Sequence, residues 1–290
     1  NLPGAKIVDP KGQKGRRLQQ NESKKQTKIQ YVQMIKQLGT KKGPPKIIGV
    51  LPASESADPH DFISHLNFQP LDEQWAPSST SNVIQAGIIE QGQFSHKVIP
   101  LAFSADESTR INVVLDIHGI VDIVVLLFEK GEPLSEYAKN DISILKALGL
   151  PTTMAVVFSS NGEEISKTLL AEYRKLISGD IPDLTRVVPV ASEDGIGQFI
   201  RFLSATSPKE ISWKSKRPGF LIQNYSINDS DKTVAVQGYV RNAPININQI
   251  VTIPNIGDFQ MKLANGIRPN PTQLHEFIYT QSGPTDEINE

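Results

Sequence analysis

The residues best placed to do chemistry follow the first apolar run. KIIGVL (46–51) is a short continuous apolar run of the kind a buried strand uses, and Gly49-Val-Leu-Pro-Ala-Ser54-Glu55-Ser56 overlaps its end. A strand running into a glycine-bearing loop is where backbone N–H groups can cradle phosphates. The full pattern is G-x-x-x-x-G-K-[ST], in which the lysine reaches the β- and γ-phosphates and the hydroxyl holds Mg²⁺. Gly49 supplies the first glycine, but Ser54 stands in the second glycine slot and Glu55 in the lysine slot, ahead of Ser56. A carboxylate about 4 Å from a phosphate charge is repelled by about 4 kcal/mol at an effective dielectric of about 20. Gly49, Ser54, Glu55 and Ser56 are therefore expected to form a degenerate nucleotide site. No other G-x-x-x-x-G-K occurs in the chain.

The second candidate is electrostatic. The net charge of −1 over 290 residues hides an asymmetry. Residues 1–46 hold twelve Lys/Arg against Asp9 and Glu22, and the remaining 244 residues carry a net charge of −11. A basic arm on an acidic body suits a polyanionic partner, nucleic acid before anionic membrane. The arm offers Lys11, Lys14, Arg16, Arg17, Lys24, Lys25 and Lys28, and a second group, Lys209, Lys214, Lys216 and Arg217, lies further on. Both groups are expected to meet phosphate.

Other chemistries find little support. With zero cysteines there are no disulfides, thiolate zinc sites or Cys nucleophile. Asp58, His60, Asp61 and His65 invite a metal reading, but His60 and His65 are five apart, off the i, i+4 spacing that sets two ligands on one helix face. An acidic helix start with Asp58 as N-cap fits better. His118 is expected in the core. No nucleophile elbow or H-E-x-x-H motif occurs. No catalytic residue, metal or cofactor is expected, and no stretch is apolar enough for a membrane helix.

The elements that must position these residues alternate. After a helix at 27–38, with Tyr31, Met34, Ile35 and Leu38 on one stripe, strands are expected at 46–51, at 82–103 as a hairpin around Gln91-Gly92-Gln93, and at 123–128, 153–158 and 186–191. Helices are expected at 109–121, 135–148, 163–177 and 196–203. This alternation implies an α/β fold with a mainly parallel sheet. Residues 205–218 read as a linker with Trp213 at the junction. Beyond it, 219–225, 233–241, 249–253, 258–263 and 275–280 read as short strands of a small barrel. The expected organisation is an arm and helix (1–45), an α/β domain (46–204), the linker and a β-barrel domain (219–290). Asn1 at the start and Asp286, Glu287 and Glu290 at the close suggest a piece of a longer protein.

An α/β domain followed by a barrel is the order of translational GTPases. Their base-reading N-K-x-D would fall at Ser159-Ser160-Asn161-Gly162, and their D-x-x-G at Ser104-Ala105-Asp106-Glu107. Neither motif stands at its expected place. GYVRNAPININQIVTIPNIGDFQMKL (238–263) resembles the signature of the Tsr/Bms family of small-subunit ribosome-assembly factors, through Gly238, Tyr239, Arg241, Pro244, Asn246, Asn248, Val251, Ile253, Pro254, Gly257, Asp258 and Phe259. RPGFLIQNY (217–225) and the basic arm fit the same family. Its Bms-type branch binds GTP, whereas its Tsr-type branch has degenerate nucleotide motifs, and Ser54-Glu55 points to the latter.

The resemblance implies a non-enzymatic factor in maturation of the small (40S) subunit. It would bind pre-ribosomal RNA, small-subunit ribosomal proteins and other assembly factors, with neither membrane nor small-molecule substrate. It would reside in nucleus, nucleolus and cytoplasm on pre-ribosomal particles, and would keep translation factors from docking prematurely. The alternative is an active Bms-type GTPase.

Overall fold

The structure, a computed structural model, describes residue 25 and residues 38–40, 44–66, 69–70, 87–91, 94–103, 110–184, 186–228, 233–253, 257–267 and 276–280. The chain divides into two compact units, Asn1–Leu38 and Gly39–Glu290. In the first, Lys25 is helical and exposed. The rest of the expected 27–38 helix, apart from Leu38, and the other arm cations lie outside the described residues.

In the second unit the strands β1 (Lys46–Pro52), β2 (Gln69–Pro70), β3 (Gly87–Gln91), β4 (Phe94–Ala102), β5 (Ile123–Glu129), β6 (Thr152–Phe158) and β7 (Val187–Val190) form one sheet in the order β2-β3-β4-β1-β5-β6-β7. From β4 to β7 all neighbours are parallel, and β3 joins antiparallel through the expected hairpin, whose turn lies outside the described residues. The short β2 beside it was not foreseen. Helices α1 (Pro59–His65), α2 (Arg110–Ile120), α3 (Glu136–Leu148), α4 (Lys167–Ser178) and α5 (Glu193–Ala205) connect the strands.

The strand residues divide by parity, because successive side chains point to opposite faces. Val124, Leu126 and Phe128 of β5 join one core with Val114 of α2, Ile142 and Leu145 of α3, and Tyr173 and Ile177 of α4. Ile123, Val125 and Leu127 join the other with Phe62 of α1 and Phe199, Ile200 and Leu203 of α5. A strand buried on both faces reads as a continuous apolar run, which is why 123–128 shows no alternation. The edge-to-face contacts of Phe62 with Phe158 and Phe199, at 5.7 and 5.5 Å between centroids, fix α1 on the second core.

Helix starts follow local chemistry. Ser135 accepts a hydrogen bond from the Ala138 amide and Ser166 from the Leu169 amide, each capping its helix. The Ser166 cap starts α4 four residues later than its apolar periodicity suggested. Asp58 caps α1 as expected, accepting from the His60 amide.

After α5 the linker carries a short 3₁₀ turn (Lys214–Lys216), followed by β8 (Pro218–Asn228), β9 (Thr233–Asn242), β10 (Ile250–Ile253), β11 (Gly257–Gln260), β12 (Leu263–Ile267) and β13 (Glu276–Thr280). They pair antiparallel as β8-β9, β10-β11 and β12-β13. The region is all-β, and among the described residues these ladders do not close into a barrel. The single strand expected at 258–263 breaks at residues 261–262 into β11 and β12.

Candidate functional site: a closed phosphate loop

The chain leaves β1, is built out to β4, and then recrosses to β5 on the other side. In such sheets the crevice outside the carboxyl ends of the strands at this reversal is the ligand position. It is bordered here by the loop 53–58, the β5–α3 loop and the β6–α4 loop.

Gly49 does not belong to that loop. It lies inside β1, paired with Leu101 and Val124, and a Cβ there would come within 2.5 Å of the Phe103 ring. Its smallness accommodates Phe103, so the expectation of a loop glycine gives way to a packing role. Ser54 is buried, and its hydroxyl accepts from the Glu129 amide at 2.8 Å. Glu55 is exposed. The Ser56 amide and hydroxyl both donate to the Glu132 carboxylate, at 3.1 and 2.5 Å. Those bonds hold the Glu132 carboxyl below the usual carboxylate range, the hydroxyl contributing most.

The backbone is committed elsewhere too. The Ala53 amide donates to Leu127 O, and the Ser135 amide donates to Ala53 O. At α1 the donor that could face an anion is taken by Asp58, and Pro59 has no N–H. The loop's donors at Ser56 and His60 thus serve the chain's own carboxylates, and Glu55, Asp58 and Glu132 make the crevice acidic.

The base-reading position is tied in the same manner. The Ser160 amide and hydroxyl donate to Glu129 Oε1 at 3.2 and 3.0 Å, and the Ser159 hydroxyl accepts from the Glu163 amide. Lys130 pairs with Glu163 at 2.6 Å. The Tyr173 hydroxyl lies within hydrogen-bond distance of Glu129 O and Glu132 O, at 3.1 and 2.8 Å, stapling α4 to this rim. The 104–107 segment lies outside the described residues. Among the described residues no His/Asp/Glu group has metal-site geometry, and His65 Nδ1 contacts Asp61 O.

The linker cations separate into two kinds. Lys214 is buried, its ammonium donating to Val121 O at 3.0 Å. That placement departs from the expectation that it faces phosphate, because the ammonium is held at the α2–β5 turn beside Asp122 and Arg241. Lys209 is exposed and paired with Asp183 at 3.0 Å, whereas Lys216 and Arg217 are simply exposed. Trp213 does sit at the junction, donating to Leu148 O at 2.6 Å and stacking on His118. His118 is a core residue, as expected, with Nε2 on Gly149 O at 2.9 Å.

Sequence reasoning missed Glu132 and Glu129. Their signal was faint: two carboxylates at the end of β5 and just past it.

The profile of the AARP2CN (NUC121) domain matches residues 207–268. The chain is similar to proteins named "Pre-rRNA-processing protein TSR1 homolog": 27% identical to that of Caenorhabditis elegans over 80% of this chain and 29% of the relative, and 24% identical to that of Xenopus laevis over 99% and 36%. The human protein of that name is 23% identical over 83% and 30%. The chain spans about a third of the length of these relatives. Among solved structures it is similar to translation elongation factor SelB of Methanococcus maripaludis, with 10% identity, a TM-score of 0.47 and coverage of 77% of this chain and 47% of that one. Domain profile and sequence relatives agree with the resemblance to the Tsr/Bms signature at 238–263.

Proposed function

We propose that this chain is part of a pre-rRNA-processing factor of ribosome biogenesis, acting in maturation of the small (40S) subunit as a GTPase-shaped protein that neither binds nor hydrolyses GTP. The observation that carries the non-enzymatic part is the Glu132 carboxylate on the Ser56 amide and hydroxyl. A phosphate entering there would have to displace an anion already hydrogen-bonded and meet Glu55 and Asp58 nearby. The names of the sequence relatives support the ribosomal setting.

On this reading the chain is a shape rather than a switch. The outer surface of the α/β layer and the β region are built by residues other than those of the loop, so they persist although the loop has closed. Such a chain would occupy the place of a translational GTPase on the pre-ribosomal particle, exclude translation factors, and await removal by another factor. The arm cations Lys11, Lys14, Arg16, Arg17, Lys24, Lys25 and Lys28, with Lys216 and Arg217 of the linker, would meet rRNA phosphates. Lys209 would join them once released from Asp183. Ribosomal proteins and other assembly factors would be its neighbours, in nucleolus, nucleus and cytoplasm.

Calorimetric titration with GTP or GDP and Mg²⁺ tests the first part. The expected result is no binding tighter than about 10 μM, which corresponds to about −7 kcal/mol. Tighter binding would place the chain with GTP-binding Bms-type proteins. RNA binding as a function of salt tests the second. With about five phosphates met, log K should fall against log salt with a slope of about −3.5 to −4.5, and deletion of residues 11–28 should flatten it.

A further inference from the structure

At the opposite, N-terminal end of the sheet, charged side chains are buried where three parts of the chain meet. Asp122, in the turn between α2 and β5, binds β1 twice: its amide donates to Ile47 O at 2.9 Å, and its carboxylate accepts from the Ile47 amide at 2.8 Å. The same carboxylate oxygen is paired with the Arg241 guanidinium of β9. Arg241 is buried and also donates to Pro45 O at 3.1 Å. The Lys214 contact to Val121 O brings the linker to the same place. Lys46, the first residue of β1, turns its ammonium onto Leu203 O and Thr206 O at 2.8 and 2.9 Å, fastening the end of α5.

The base of the β8–β9 ribbon is shaped for this contact. Leu221 is buried in the first core, and Tyr239 packs against it. Asn242, in the left-handed region at φ 68°, donates its side-chain amide to Gly119 O at 2.7 Å. A Cβ on Gly238 would sit 1.8 Å from Leu221 O, where the register shifts between Ile222 and Asn224. The far end of the ribbon differs: Tyr225, Ile227, Val234 and Val236 are exposed.

We infer that Arg241 and Asp122 are a latch that sets the direction in which the β8–β9 ribbon projects from the sheet. Gly238, Tyr239 and Arg241, the G-Y-x-R of the family signature, then encode a joint between two parts of the chain rather than a surface for a partner. Arg241 is a positioning residue. Its Nη2 donates to two acceptors on different segments, Asp122 and Pro45 O, so it ties β9 to both at once. Breaking a buried pair from one side leaves an uncompensated charge, so the ribbon gains no low-energy alternative seat while the pair stands. The latch lies at the end of the sheet away from the closed loop. Ribbon direction is therefore built in and does not wait on a ligand.

The chain has no cysteine, so spin labels can be placed at will. Exposed Ser178 on α4 and Ser226 on β8, each replaced by cysteine, report the angle between sheet and ribbon. Pulsed electron–electron double resonance should give one narrow distance distribution in the otherwise wild-type chain. Arg241→Gln and Asp122→Asn should each broaden it at least twofold, and the double variant should broaden it no more than the worse single variant, because the two side chains act as one unit. A folded Arg241→Gln chain with an unchanged distribution would overturn the latch even if its melting temperature fell. Should Arg241→Gln fail to fold by circular dichroism, Arg241→Lys decides: an ammonium on a shorter side chain does not reach Asp122 and Pro45 O together and should still broaden the distribution, and an unbroadened one overturns the inference. GTP titration plays no part in this measurement, so its outcome is independent of the proposed function.

Discussion

Acidification to pH 5.0 drives a proton toward an imidazole with no place for it. His118 lies in the core with Nε2 on Gly149 O, so Nε2 carries the hydrogen and Nδ1 is left buried without a partner. Burial, and then the Lys214 ammonium nearby, push the His118 pKa down to about 4 from 6.5, against the bond to Gly149 O. Because the folded value is the lower one, the unfolded chain binds the proton more readily between these limits. The contribution is whole above pH 6.5 and is lost as pH falls toward 4. Between pH 7.5 and 5.0 that loss is about 2 kcal/mol, and it approaches about 3 kcal/mol below pH 4. The assay is urea unfolding at both pH values for the wild type and for His118→Phe, which keeps an aromatic ring beside Trp213 and removes the titration. Other groups contribute equally to both chains, so the wild type should lose about 2 kcal/mol more than the variant. Equal losses in the two chains would refute the buried neutral imidazole.

Three further outcomes follow from the same structure. Burial lowers both the Lys46 and the Lys214 pKa to about 8, with Asp122 opposing; each folded value lies below its unfolded one, so stability should rise as pH climbs from 8 toward 10.5, by about 3 kcal/mol per lysine. Denaturant titration of Lys46→Met should show about half of that rise, and a rise undiminished in the variant would exclude Lys46 as its source. Gly238→Ala should cost about 2–3 kcal/mol by forcing β9 from Leu221, read as loss of hydrogen-exchange protection along β8 and β9; retained protection would show that the ladder yields cheaply. Glu132→Ala should free the Ser56 amide and hydroxyl, seen as faster amide exchange at Ser56, and unchanged exchange would mean that the carboxylate does not hold the loop.

Much of the α/β layer was legible because its signals are local. A run such as 123–128, apolar at every position, can be satisfied only between two layers, whereas periodicity alone put the start of α4 at 163, four residues ahead of where the Ser166 cap sets it. That Glu55 stands in the lysine slot of the phosphate pattern was equally legible, since it is read directly from the sequence. The closure of the crevice was not. Glu132 and Ser56 are 76 residues apart, and only the parallel pairing of β1 with β5 sets their loops side by side.

The 238–263 segment shows the same division. Its residues carried the resemblance to the Tsr/Bms signature from sequence alone, yet nothing in their types or spacing said what they do. Gly238 appears as a glycine of tight approach only once Leu221 lies across from it, and Arg241 as a buried partner only once Asp122, 119 residues earlier, is brought to it. The four linker cations were alike in sequence, and packing buried Lys214, paired Lys209 and left Lys216 and Arg217 in water. Composition and periodicity determined the charge asymmetry, the alternation of strands and helices and the absent lysine, because each depends on neighbours along the chain. Burial, pairing and the pKa of a side chain depend on neighbours in space, and those were decided by the order in which the strands assemble.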